Sequence, residues 1–256
     1  MKLRVLGPYG GELPGCFLSG FLLDETVLID AGTISLVLDQ KEQLKIEHVL
    51  ISHPHLDHIA ALPHMAVNVF ANDSNPVYIY GLKTTLEALN KHILNNLIWP
   101  DFTKINRPNG KAVFELCKLE EGQESKVGPY QVRCIRVNHP VPTCGFVITH
   151  EGKSIAYSGD TGATEEFWEA VSDAPNLRGL LVEVSFPNRL QKLAEITGHL
   201  TPEGLRLELK KVRRKLSVPV IAFHVKPEYE KEIRKELKDT EIPQVEVSKT
   251  DKVYNF

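Results

Sequence analysis

The densest chemistry in the chain is His53-Pro54-His55-Leu56-Asp57-His58, three imidazoles and a carboxylate within six positions. In an extended stretch residues two apart point the same way, so His53 and His55 can share one metal ion. Where the chain then turns, Asp57 and His58 can face a second ion beside the first. Such a cluster would be costly to bury for structural reasons alone, and imidazole with carboxylate is a donor set suited to a catalytic divalent metal. The strand-like run 46–52 leads straight into it, which supplies the rigid footing that ligands on a loop require. Three further donors each stand just past an apolar, strand-like run: His139 after 130–137, Asp160 after 154–157, and His224 after 218–223. A lone His or Asp in such a place is usually a turn residue.

His-x-His-x-Asp-His after a buried strand resembles the metal motif of the metallo-β-lactamase superfamily, and the downstream residues fall in that family's order. The resemblance implies an α/β fold, an αββα sandwich of two β-sheets flanked by helices. It also implies two divalent ions, zinc first and manganese or iron as alternatives. The implied ligands are His53, His55, His139 and Asp160 for one ion, and Asp57, His58, Asp160 and His224 for the other. Asp160 would bridge, and Asp57 would serve catalysis as well as ligation.

Because this fold hosts many chemistries, the substrate class must come from the site. Glu183-Val184-Ser185-Phe186 followed by Gly198-His199-Leu200-Thr201 is similar to a pairing in the phosphodiesterase branch, in which a glutamate orients a histidine that is not a ligand. Cleaving a phosphodiester expels an alkoxide that such a histidine can protonate. Nearly the whole chain looks most like the class II cyclic-nucleotide phosphodiesterases, through residues 53–59, Thr143-Cys144-Gly145-Phe146, residues 183–202 and a helical insertion over 82–102. Residues 60–64, Ala-Ala-Leu-Pro-His, depart from that pattern towards the endonuclease style.

The resemblance therefore implies a two-metal phosphodiesterase that hydrolyses 3′,5′-cyclic nucleotides to 5′-monophosphates through a metal-bridged hydroxide. His199, positioned by Glu183, would assist the leaving oxygen, and Thr143, Trp99 and Phe102 would line the substrate pocket. Two rivals stand beside it. A tRNA 3′-processing endonuclease carries a protruding arm between the positions of His139 and Asp160, for which this chain leaves no room. A non-catalytic metal-binding protein would be expected to have lost ligands.

The elements that must position these residues alternate throughout. Strand-like runs are expected at 3–6, 17–23, 26–29, 46–52, 77–80, 112–117, 130–137, 145–149, 154–157, 179–183 and 218–223. Helices are expected at 35–44, 63–70, 82–97, 165–171, 201–216 and 228–237, and 58–62 reads as a tight turn before Pro63. His48, His64, His92 and His150 fit no ligand position and are assigned solvated or packing roles. Lys210, Lys211, Arg213, Arg214 and Lys215 are expected on the solvated face of the 201–216 helix.

With 256 residues, 42% hydrophobic and 25% charged, the chain suits a single hydrolase domain over 1–256. A net charge of −3 argues against a surface that grips long nucleic acid. The four cysteines form no C-x-x-C pair and are expected to be reduced. Neither a signal peptide nor a membrane span is visible, so the expected place is the cytoplasm and the expected partner a small cyclic nucleotide, with a homodimer left open.

Overall fold

A computed structural model describes residues 1–72 and 74–256. The first half runs β1 (Lys2–Gly7), β2 (Gly20–Leu23), β3 (Val27–Ala31), α1 (Gln40–Gln43), β4 (His48–Leu50), α2 (Leu56–Ile59), α3 (Leu62–Phe70), β5 (Val77–Leu82), α4 (Lys83–His92) and β6 (Phe114–Leu119). The second runs β7 (Glu124–Val127), β8 (Tyr130–Arg136), β9 (Cys144–His150), β10 (Lys153–Tyr157), α5 (Glu166–Asp173), β11 (Leu177–Glu183), α6 (Gln191–Thr197), α7 (Pro202–Leu209), β12 (Val220–Phe223), α8 (Glu230–Asp239), β13 (Val245–Val247) and β14 (Val253–Asn255).

These strands form two mixed seven-stranded sheets, ordered β14-β1-β2-β3-β4-β5-β6 and β13-β12-β11-β10-β9-β8-β7. Each is antiparallel at one end and parallel at the other, where helical crossovers join β3 through β6 and β10 through β13. The last strand, β14, crosses back to pair antiparallel with β1, so both ends of the chain lie in the first sheet.

Three apolar layers follow from this order. Leu3, Phe21, Ile29, Phe146, Tyr157 and Phe223 belong to the layer between the sheets. A second layer packs α3 and α4 on the first sheet through Leu62, Met65, Leu86 and Leu89, and a third packs α5, α7 and α8 on the second through Trp168, Leu205 and Ile233. This is the expected αββα sandwich. Under the site the Phe223 ring meets Tyr157 at 4.8 Å and Phe21 at 5.3 Å. Each such ring contributes roughly 1.5–3 kcal/mol by burial, and Phe223→Ala should cost about 3–5 kcal/mol.

Several expected elements differ. The 35–44 helix shrinks to α1, which begins only where Asp39 and Glu42 close a reciprocal cap. Residues 58–62, expected as a turn, begin inside the short helix α2. The 82–97 helix ends at His92, because the Asn95 side chain accepts the Leu97 and Ile98 amides and Asn96 takes φ 62°. Leu97, placed on its apolar stripe, is 87% exposed. The 201–216 helix starts as expected, with Thr201 accepting from the Gly204 amide and Pro202 in the first turn, but stops at Leu209. Beyond it Lys211 pairs with Glu165 and Glu208, Arg213 pairs with Asp173, and Arg214 donates to the Ser172 and Ala174 carbonyls at the end of α5. Arg213 and Arg214 thus sit at the carboxyl end of α5, where cations are favourable, while Lys210, Arg213 and Lys215 are exposed as expected. All four cysteines are free, and no helix among the described residues is long and apolar enough to cross a membrane.

Candidate metal centre

The parallel strands deliver the site residues to one edge of the sandwich, as expected for ligand sites at the carboxyl ends of strands. His53, His55, Asp57 and His58 follow β4, and His139 follows β8. Asp160 follows β10, Glu183 ends β11, and His224 follows β12. At His224 the backbone turns sharply at φ 59°, and Gly10 lies so close that a Cβ there would stand 2.5 Å from the imidazole. Only glycine at position 10 leaves room for that ring.

Two groups of donor atoms, each within 4.8 Å of one another, are His53 with His55, His139 and Asp160, and Asp57 with His58 and His224. Asp160 lies between them: its Oδ2 is 3.7 Å from His53 Nε2, 3.3 Å from His58 Nε2 and 3.2 Å from His224 Nε2. His139 Nε2 faces His55 Nδ1 at 3.3 Å, and Asp57 Oδ2 stands 3.0 Å from His224 Nε2.

The outward nitrogens are each held by a partner. His58 Nδ1 donates to Asp30 Oδ2 at 2.8 Å and His53 Nδ1 to Ser52 Oγ at 3.0 Å. His139 Nδ1 donates to the Gly198 carbonyl at 3.0 Å and His224 Nδ1 to Ser185 Oγ at 2.9 Å. With Nδ1 protonated in all four, Nε2 carries the lone pair and faces inward; His55 alone offers Nδ1. His53 Nε2, His58 Nε2 and Asp160 Oδ1 are buried with no hydrogen-bond partner. Orphaned buried donors and acceptors are expensive, and here they converge on common centres. The residues therefore fit divalent metal, with the imidazole and carboxylate donors it takes.

Asp30 is the residue that sequence reasoning missed. It is the next-to-last residue of β3, at φ 55° and fully buried, and also accepts from Ser52 N and Oγ at 2.8 Å each and from the Tyr157 hydroxyl at 2.5 Å. A charged residue closing an otherwise apolar strand was the available signal. Ser52 and Ser185 were invisible for a simpler reason, since serine beside a strand end is commonplace.

Glu183 is buried and accepts four bonds. Its Oε1 takes His199 Nδ1 at 3.0 Å, the Leu200 amide at 3.1 Å and the Thr161 amide at 3.2 Å, and its Oε2 takes Ser185 Oγ at 2.8 Å. His199 stacks on His224 at 5.2 Å and meets His139 edge-on at the same separation. It also lies close enough to Asp160 and His224 to form a third donor group, but its Nδ1 is committed to Glu183. Burial by itself would lower the His199 pKa; the Glu183 charge and hydrogen bond outweigh it and hold the imidazole above its ordinary value.

Burial, reinforced by the neighbouring His58, pushes His53 well below the ordinary imidazole value. At Asp160 burial opposes ionisation, yet His224 and His58 prevail and keep it an anion. The centre is thus a buried carboxylate encircled by imidazoles.

Of the residues expected to line the substrate pocket, Thr143 and Phe102 are buried and Trp99 is half-buried. Thr143 is buried, and its hydroxyl donates to the Val141 carbonyl at 2.9 Å, so it shapes the loop carrying His139 instead of facing the cleft. Phe102 is 6% exposed in the helix layer, edge-on to Phe70, and cannot stack on a base. Trp99 is half-buried against the same layer and meets His64 edge-on at 5.2 Å.

The profile described as a beta-lactamase superfamily domain matches residues 25–220, and the chain belongs to that family. Among its relatives is 3′,5′-cyclic-nucleotide phosphodiesterase 1 of Saccharomyces cerevisiae, 32% identical over 182 residues, covering 62% of this chain and 48% of the yeast protein. The chain thus spans about half the length of that relative. A 3′,5′-cyclic-nucleotide phosphodiesterase of Aliivibrio fischeri is 27% identical over 248 residues, covering 80% of this chain and 73% of the relative. Unliganded yeast PDE1 superposes with a TM-score of 0.81 at 22% identity, covering 97% of each chain. The short form of human tRNase Z superposes at 0.73 and 17% identity, covering 100% of this chain and 99% of that one. Both structural likenesses establish the metallo-β-lactamase fold.

Proposed function

We propose that the chain, acting as one domain over its whole length, is a two-metal phosphodiesterase that opens 3′,5′-cyclic nucleotides to 5′-monophosphates. The observation that carries this reading is the Glu183–His199 pair, an oriented imidazole beside the donor cluster that is not needed to complete it. Relatives named as cyclic-nucleotide phosphodiesterases support the substrate class.

His53, His55, His139 and Asp160 would hold one ion, and Asp57, His58, His224 and Asp160 the other. Bound there, two divalent ions supply Lewis acidity towards the phosphoryl oxygens and a water acidified into the neutral range. The carboxylates of Asp30, Asp57 and Asp160 offset three of the four positive charges two such ions would bring, leaving a centre that favours an anionic diester. Asp57, the least buried carboxylate of the set, faces the open side and orients the attacking water.

As the oxygen of this water, which has already lost one proton to solvent, bonds to phosphorus, the bond from phosphorus to O3′ breaks and O3′ takes a proton. His199 delivers it: Nδ1 is locked on Glu183, so Nε2 is the nitrogen free to act on the leaving oxygen, and Glu183 steadies the imidazolium. Metal-loaded enzyme should convert 3′,5′-cyclic AMP or cyclic GMP to the 5′-monophosphate. Trimming of a tRNA precursor with both cyclic nucleotides untouched would transfer the assignment to an endonuclease.

A further inference from the structure

A cleft of about 470 Å³ lies beside the metal centre, between the loop 32–36 and helix α3. That volume suits a small-molecule ligand. Its wall is shared with the ligand loop: a Cβ on Gly32 would stand 2.0 Å from the Asp57 carbonyl oxygen, and Ala60, also in the wall, donates its amide to the Leu56 carbonyl at 2.8 Å. The segment that carries Asp57 thus backs onto one wall of the cleft, which makes this the recess adjoining the donor cluster on that side. The cleft of about 560 Å³ on the β5–β6 edge, walled by Tyr78, Lys111 and Phe114, has no wall formed by the 32–36 loop or by residues 53–64.

The floor is apolar or small, with Leu18, Ile34, Ala60 and Ala61, and the polar groups are few: Glu12, Ser35, His64 and Asn68 among them. The orientation of Asn68 is determined. Gln43 is buried and donates its amide nitrogen to the Leu38 carbonyl at 2.9 Å, so its oxygen is the acceptor that remains. Asn68 must meet it with its own nitrogen, at 2.9 Å, and the same nitrogen donates to Ser35 Oγ at 3.2 Å. Asn68 Oδ1 is then left as an acceptor, and Glu12 adds an unpaired carboxylate near the rim. At the mouth the exposed His64 ring is braced edge-on by Trp99.

Resting on the phosphodiesterase reading above, we propose that this cleft receives the nucleoside. The base stacks on His64, and its exocyclic amine donates to the acceptors Asn68 and Glu12. The two acceptors suit adenine, guanine or cytosine, which carry such an amine, over uracil, which presents a carbonyl in its place. Trp99 is a positioning residue, acting on the base only through His64.

The test compares the metal-loaded wild type with His64→Ala, Ser35→Trp (which fills the cleft), Trp99→Ala and the His64→Ala/Trp99→Ala double variant. Substrates are 3′,5′-cyclic AMP, 3′,5′-cyclic UMP and ribose 3,5-cyclic phosphate, which has no base. His64→Ala and Ser35→Trp should lower kcat/KM for cyclic AMP by about tenfold or more, the scale of one stacked base, and affect the baseless diester much less. Cyclic AMP should surpass cyclic UMP in the wild type, and Trp99→Ala should add nothing to His64→Ala. Binding of adenosine 5′-monophosphate, measured by calorimetry, should weaken about tenfold in the same variants. Wild type that cleaves aryl diesters but no cyclic nucleotide would sink the substrate reading, and the calorimetry would still decide the cleft. Equal 5′-monophosphate binding by wild type, His64→Ala and Ser35→Trp overturns the proposal, and equal use of cyclic UMP and cyclic AMP overturns the amine reading. Because His64 is exposed, its variant keeps the test decisive even where Ser35→Trp fails to fold.

Discussion

Asp30 Oδ2 and His58 Nδ1 meet at 2.8 Å, with both side chains fully buried. The carboxylate comes from the end of β3 and the imidazole from α2, so the contact exists only because β3 and β4 pair in parallel. It fixes which nitrogen of His58 faces the centre and makes that nitrogen more basic.

Asp30→Asn is the informative change, since asparagine tolerates the positive φ at this position. An amide can accept from some of Ser52, Tyr157 and His58, but it lacks the charge that serves all three. Metal affinity should fall about 10–100-fold, the usual cost of losing such a partner. Competition against a chromophoric chelator reads this directly, with circular dichroism to show the fold intact. Undiminished affinity would remove Asp30 from the site.

Asp160 makes the strongest demand on stoichiometry, because one carboxylate serves both donor groups. Protein purified without chelator should carry close to two divalent ions per chain by elemental analysis, and Asp160→Ala should lose both ions together with activity. Stripping the metal should also lower stability. At free metal about 1,000 times Kd, bound metal contributes about 4 kcal/mol, which for a chain of this length means a fall in Tm on the order of 10 °C. A melting curve indifferent to chelator would contradict this arrangement.

The candidate donors were legible because they are chemically rare and stand at strand ends: His53, His55, His58, His139, Asp160 and His224 all follow an apolar run that forms a strand, and the fold brings them together. Their supports were not legible. Asp30 meets His58 across 28 positions, and Ser185 meets His224 across 39, separations that no local pattern encodes. The weak elements were missed for physical reasons as well. α6 exposes Leu193 and Ile196 and so shows no inward stripe, while β13 and β14 are three residues each and carry Glu246 and Asn255. The apolar rhythm of 82–97 misled because Asn95 and Asn96 turn the chain before Leu97 can pack.

His199 should be catalytic without holding metal. His199→Ala should retain its ions yet lose about two to four orders of magnitude in kcat, the range for general acid–base help. Glu183→Gln keeps the shape but gives up the charge that stabilises the imidazolium, so its loss should be smaller and in the same direction. The loss in His199→Ala should also shrink for diesters with an acidic aryl leaving group, which needs no proton. Metal depletion in His199→Ala would instead make His199 a ligand of the third donor group.

The buried phenols set the alkaline limit of the fold. Burial pushes Tyr9 and Tyr80 up to about 12, and burial together with the Asp24 charge raises Tyr130 further. Burial with Glu246 raises Tyr254 likewise. Tyr130 donates to Asp24 Oδ2 at 2.6 Å, so ionising it would set two anions against each other. A folded pKa above the unfolded value near 10 means that the stabilisation is complete below about pH 10 and drains away as pH climbs towards the folded pKa values. Thermal melts should therefore be flat across this set of groups up to about pH 9.5, then fall steeply, with tyrosinate absorbance rising together with unfolding instead of ahead of it. Tyr130→Phe surrenders the hydrogen bond, which costs roughly 1.5–3 kcal/mol for a charged acceptor, but it also removes one of the ionisations that drive alkaline unfolding. Its melting temperature should start lower at neutral pH and decline less between about pH 10 and 12 than that of the wild type. Parallel declines in the two proteins would show that Tyr130 takes no part in the alkaline transition.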